Sequence, residues 1–162
     1  MQRATDDQDE RQLILADFIP YRLSIATHLV SHAIARAYET RFGLGIPQWR
    51  VVAVLAESGP LMSIDVAQRT RMDKMTVSRA AAALVDRRLL VREANPGDRR
   101  SHLLSLSREG EDLYAEVAPA ALRLEQQLLD GCSDDEVAGF VAMLHRLEQA
   151  AAALINAGLE PV

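Results

Sequence analysis

The chain has 162 residues, 49% hydrophobic and 25% charged, which is enough apolar material for one domain or two small lobes. Aromatic residues make up only 4% while Ala and Leu abound, so helices are favoured over sheets. The net charge of −5 does not suggest a polyanion binder, no apolar run reaches the ~20 residues of a membrane span, and the single cysteine, Cys132, excludes an internal disulfide and a cysteine-rich zinc site.

Residues 1–12, MQRATDDQDERQ, are acidic and polar. They do not form a secretory signal and are expected to be a disordered tail on a cytoplasmic protein with no membrane partner. A long helix is expected over 11–42, where Leu23, Ala26, Val30, Ala33, Ile34 and Ala37 recur at helical spacing. Pro20 suggests a kink or a restart near its beginning, and Gly43 suits a left-handed cap at its end. Pro47 fits the first turn of a second helix, 47–57, which the cluster Glu57-Ser58-Gly59-Pro60 terminates. Ser63 is positioned to cap a short helix over 64–70.

Asp73 is positioned to cap the next helix, 74–88, whose inward face carries Val77, Ala81, Leu84, Val85 and Arg88. A short strand over 89–93 follows, then the turn Asn95-Pro96-Gly97-Asp98 and a returning strand over 103–107. From Ser107 the chain is helical to about Leu129, with Pro119 inside. Gly131 breaks it, and Ser133 with Glu136 forms a capping box for a last helix, 134–156. The expected fold is mainly α with a small β-hairpin wing: a winged helix-turn-helix lobe over 43–107, flanked by a helical dimerisation region over 13–42 and 108–158.

The charge is unevenly placed. Residues 69–108 hold ten basic residues against four acids, a local balance of +6 that leaves the remainder at −11. Screening confines fields to roughly 8–10 Å, so DNA responds to the local charge. The helix over 74–88 can enter a major groove. Thr76, Ser78 and Arg79 supply polar groups near its start, and Lys74 lies near phosphates. Ala80, Ala82 and Ala83 keep the helix slim. Ser63 and Arg71 are further candidates for the DNA backbone. At the hairpin tip, Arg99 and Arg100 can enter a minor groove, with Asp98 aiming Arg100 by a charge-assisted bond. The alternatives are a solvated surface helix and a surface ion pair.

The stretch 73–114, DKMTVSRAAAALVDRRLLVREANPGDRRSHLLSLSREGEDLY, closely resembles the winged-helix core of the MarR family of bacterial regulators, including a D-x-R wing signature at Asp98-Arg99-Arg100. IPQWRVVAVL, 46–55, is similar to the family's second helix, and the likeness runs over about 13–155. It implies a homodimer held by the first and last helices, a double-stranded, pseudo-palindromic operator, and release of DNA by a small aromatic or phenolic effector. It also matches Arg100 to the wing arginine and Thr76, Ser78 and Arg79 to the base-reading positions. The surplus of apolar residues on the terminal helices argues independently for a dimer.

Candidate effector contacts are His28, His32, Arg36, Trp49 and Arg50, since a flat indole and an arginine fork suit an acidic aromatic molecule. Trp49 as plain core and Arg50 as an ion-pair partner is the competing reading. His28 and His32 stand four apart, a spacing that can bind zinc, but no further His or Cys cluster supports a metal site. No cofactor is expected. Cys132 lies far from the N-terminal end, where the family's thiol sensors carry theirs. No catalytic constellation stands out, so an enzyme is not expected. The rival to a repressor is a winged-helix module that binds another protein.

Overall fold

The structure is a computed structural model that describes residues 13–158, without the side chains of Arg99 and Arg100. The expected tail over 1–12 lies outside the described residues. Helix α1 spans Ile19–Phe42 and starts later than periodicity alone suggests, after a turn at 15–17. Pro20 sits in its first turn, where its missing N–H has no intrahelical partner anyway, so proline starts this helix instead of kinking it. Gly43 ends it in the left-handed region (φ 61°), donating its N–H to the Glu39 carbonyl, while the Leu44 N–H reaches the Tyr38 carbonyl. Helix α2, Ile46–Ser58, begins after Gly45, whose N–H donates to Gln48 Oε1 at 2.9 Å.

Strand β1 is only Leu61–Met62, and it leads directly into α3, Ser63–Thr70. Ser63 is therefore the first helical residue and not the cap; Met62 holds that position with no side-chain cap bond. The cause is the sheet. Leu61 and Met62 pair with Leu104 and Leu103, which delivers the backbone to α3 already extended. Two residues carry no period, so this third strand left no trace in the sequence pattern.

Helix α4 spans Lys74–Asp86 and is two residues shorter than expected. Its end has the hydrogen-bond pattern of a Schellman motif: Arg88 N–H reaches Val85 O at 2.8 Å and Leu89 N–H reaches Leu84 O at 2.9 Å. Arg88 takes the left-handed position (φ 59°) that glycine usually fills. It is exposed rather than part of the inward face. Leu84 and Leu89, both buried, supply the apolar pair that accompanies such a cap.

Strands β2, Leu90–Asn95, and β3, Asp98–Leu106, form an antiparallel hairpin through Pro96-Gly97, and the sheet order is β1-β3-β2. Asn95 organises the turn: its Oδ1 accepts from Gly97 N–H at 3.0 Å and its Nδ2 donates to Ser101 Oγ at 3.0 Å. Helix α5, Arg108–Leu128, starts from Ser107, whose hydroxyl donates to Arg88 O at 2.6 Å and accepts from Gly110 N–H at 3.0 Å. Gly110 is buried there, and a Cβ would run into the carbonyl oxygen of Leu89.

The chain divides into two compact units, Met1–Ala118 and Pro119–Val162, the boundary falling at the proline within α5. In the first unit α2, α3 and α4 pack together and against the sheet, burying Val51, Val52, Val66, Val77, Leu84 and Leu104. In the second, Ser133 and Glu136 form the expected reciprocal cap on α6, Asp134–Asn156, with Ser133 N–H to Glu136 Oε2 at 2.8 Å. No residue of α6 is buried. Among the described residues no helix is long and apolar enough to cross a membrane.

Candidate nucleic-acid interface

Helices α3 and α4 are joined by Arg71-Met72-Asp73. Arg71 ends α3 in the left-handed conformation (φ 55°), and Asp73 opens α4 by accepting from Thr76 N–H at 2.8 Å. The Thr76 hydroxyl donates to the other carboxylate oxygen at 2.6 Å. These two bonds hold the Asp73 carboxyl below the usual carboxylate range. Thr76 is thus half-buried and committed to starting the helix, with only its acceptor lone pairs left for a ligand.

The outward side of α4 follows from its buried side. Val77, Ala80, Ala81 and Leu84 are buried, which turns Ser78, Arg79 and Ala82 to solvent. Lys74 is exposed at the first turn. Ala80 belongs to the core and not to the slim outer surface expected of it. Met75 is two-thirds exposed (67%) on the outward side, although nothing in the sequence pattern marks it for a role.

A cleft of about 380 Å³ joins α4 to the wing. It is lined by Ser63 and Ile64 of α3, Ser78 of α4, and Arg92, Ser101 and His102 of the hairpin. Ser63, Ser78 and the wing strands therefore share one surface. Arg92 and His102 on it are not singled out by sequence. Arg92 stands two residues after buried Leu90, on the same face of β2, where periodicity alone would place a core residue. A second cleft, about 400 Å³, brings Thr76 and Arg79 together with Gly45, Pro47 and Gln48 at the start of α2. Asp98 opens β3 at the hairpin tip. The expected Asp98–Arg100 bond, and any reach of Arg99, involve side chains outside the described residues.

Arg87, at the end of α4, donates from Nη1 to Gly43 O at 2.7 Å and from Nη2 to Phe42 O at 3.1 Å. One guanidinium thus satisfies two carbonyls left open where α1 stops, and it ties the end of α4 to α1.

The candidate effector residues are only partly assembled. His28, His32 and Arg36 are all exposed on α1, the two imidazoles stacked with centroids 6.4 Å apart. Trp49 is half-buried between two tyrosines, 5.2 Å from Tyr38 and 5.9 Å from Tyr114, centroid to centroid. Burial pushes the Tyr38 phenol above its usual range. Arg50 is exposed. Neither of the two clefts described above is lined by any of the five. Among the described residues no three His, Cys, Asp or Glu groups converge as a metal site would require.

Known proteins share this arrangement. The model of the MarR family matches residues 42–101, which hold α2 to α4 and most of the wing. The HTH-type transcriptional regulator YxaD of Bacillus subtilis is 31% identical over 96 residues, covering 59% of this chain and 67% of that one. The solved structure of BpsR from Bordetella bronchiseptica, whose DNA binding is regulated by 6-hydroxynicotinic acid, superposes with a TM-score of 0.78 at 26% identity. It covers 85% of this chain and 97% of its own. A MarR/EmrR-type regulator from Acinetobacter sp. ADP1 gives a TM-score of 0.81 over 87% of this chain and 99% of its own, at 20% identity, a likeness of fold.

Proposed function

The chain belongs to the MarR family of DNA-binding transcriptional regulators, and from that membership we propose that it is a homodimeric repressor, released from a two-fold symmetric operator by a small acidic aromatic effector. The observation that carries the DNA half of this reading is the shared cleft. It sets Ser78, in the second turn of the reading helix, beside Arg92 and Ser101 of the wing, so one duplex can meet both. In the division of labour, Ser78 and Arg79 read base edges in the major groove, with Thr76 accepting at its margin. Lys74, Arg71 and Ser63 position the phosphates. The wing, through Arg99 and Arg100 with Asp98 at the turn, follows the adjoining minor groove.

The dimer is supported by apolar surface that a lone chain leaves in water. Ile25 and Leu29 of α1 and Phe140 and Met143 of α6 are exposed. We assign 13–42 and 108–158 to dimerisation and 43–107 to DNA. Two lobes on one duplex face require half-sites about 10 base pairs apart.

The effector reading is supported by Trp49 in its aromatic stack and by the regulation of BpsR by an aromatic acid. His28, His32, Arg36 and Arg50 are the polar groups on the neighbouring stretches of α1 and α2. An effector acts through its differential affinity for the two states, and a hundredfold loss of DNA binding needs roughly 2.7 kcal/mol.

The test has two steps. Selection from random duplexes should return an inverted repeat. Titration with aromatic acids should then quench the fluorescence of the sole tryptophan in step with DNA release. Enrichment of no sequence would refute the repressor. Release by a compound whose binding is indifferent to Trp49→Phe, His32→Ala and Arg50→Ala together would move the effector site elsewhere.

A further inference from the structure

A helix advances 100° per residue, so positions can be placed around α4 from its buried side. Leu84 and Val77 mark the inward direction. Taking Met75 as origin, Ala82 lies about 20° and Arg79 about 40° to either side, Ser78 about 60°, while Lys74 and Thr76 sit about 100° away on the flanks. Met75 is therefore the centre of the outward face, opposite the core, in the helix's first turn. At 67% exposure it is the most exposed large apolar side chain described between α2 and β3. Its neighbours on that face are a serine, an arginine and an alanine, so it is an isolated apolar point and not part of a patch of the kind that docks a protein.

We infer that Met75 is a specificity-determining residue, reading the C5-methyl group of one thymine in each half-site. This deepens the operator reading above and rests on it. The major groove is polar along its base edges except for that methyl. A flexible, polarisable thioether in the first turn of the inserted helix is suited to it. Lys74 beside it and Arg79 one turn on supply the positive field that holds the phosphates and a neighbouring guanine edge; against an apolar partner both charges would lose their hydration unpaired.

The test uses the duplex selected by the full-length protein, with each thymine replaced in turn by uracil, which removes the methyl and nothing else. Uracil at one thymine per half-site should weaken the parent about fourfold for each half-site, the worth of one buried methyl-sized group. Met75→Ala should bind the thymine and uracil duplexes alike, and Met75→Leu should keep most of the preference. The side chain is exposed, so the variants should melt with the parent. Uracil sensitivity that is the same in Met75→Ala as in the parent, or absent from the parent at every thymine, overturns the assignment while leaving sequence-specific binding intact. A parent that selects no duplex at all overturns both.

Discussion

Single residues carry separable parts of DNA recognition and of the fold. Arg79 and Lys74 are both exposed cations on α4, yet they should fail differently. Arg79→Ala should cost about 1–3 kcal/mol on the selected duplex and relax base preference at one position per half-site. Lys74→Ala should weaken all duplexes evenly and lower the salt slope by about one for each phosphate it no longer neutralises. A repeat of the selection with each variant separates the two; an unchanged motif for Arg79→Ala would end its reading role. Gly110 is a residue of pure geometry. Its hydrogen sits where a Cβ would meet the Leu89 carbonyl, at the joint where Ser107 ties the start of α5 to the end of α4. Gly110→Ala should therefore destabilise by about 1–3 kcal/mol or more, read by denaturant unfolding. A variant as stable as the parent would mean that this joint yields.

At the scale of elements, the start of α4 links stability to pH. The Asp73 carboxyl is held low by Thr76, so its contribution is complete above the pKa of an unfolded aspartate and fades as pH falls through the lower folded value. The parent's advantage in Tm over Asp73→Asn should be steady near neutrality and shrink below about pH 4. An advantage that grows on acidification would contradict the cap. This helix start is legible in the sequence because an acid three residues before a threonine at a helix start is a local signal, as is the Ser133–Glu136 box on α6. What is not legible depends on distant partners. β1 exists only because Leu103 and Leu104 are there to receive it, and the end of α4 is set by Arg88 in a conformation that glycine normally advertises. The outward face of α4 is half-legible. Polarity marks Ser78 and Arg79 but not Met75, because exposure of an apolar residue cannot be seen until the core around it is placed.

For the whole molecule, the charge pattern and the apolar pattern make different demands. The acidic remainder of the chain keeps the net charge at −5 although residues 69–108 are basic, the segment proposed to face DNA. The apolar residues exposed on α1 and α6 call for a second copy. Deleting residues 134–162 should leave a monomeric or insoluble protein by sedimentation; a well-folded dimer would remove α6 from the interface. Binding of the selected duplex, followed by fluorescence anisotropy against a scrambled duplex over a range of salt concentrations, tests the central claim most directly. A sequence-reading winged helix should bind the selected duplex at least about a thousandfold more tightly than the scrambled one, with log affinity falling linearly in log salt. Equal affinity for both duplexes, or no binding at physiological salt, would contradict it.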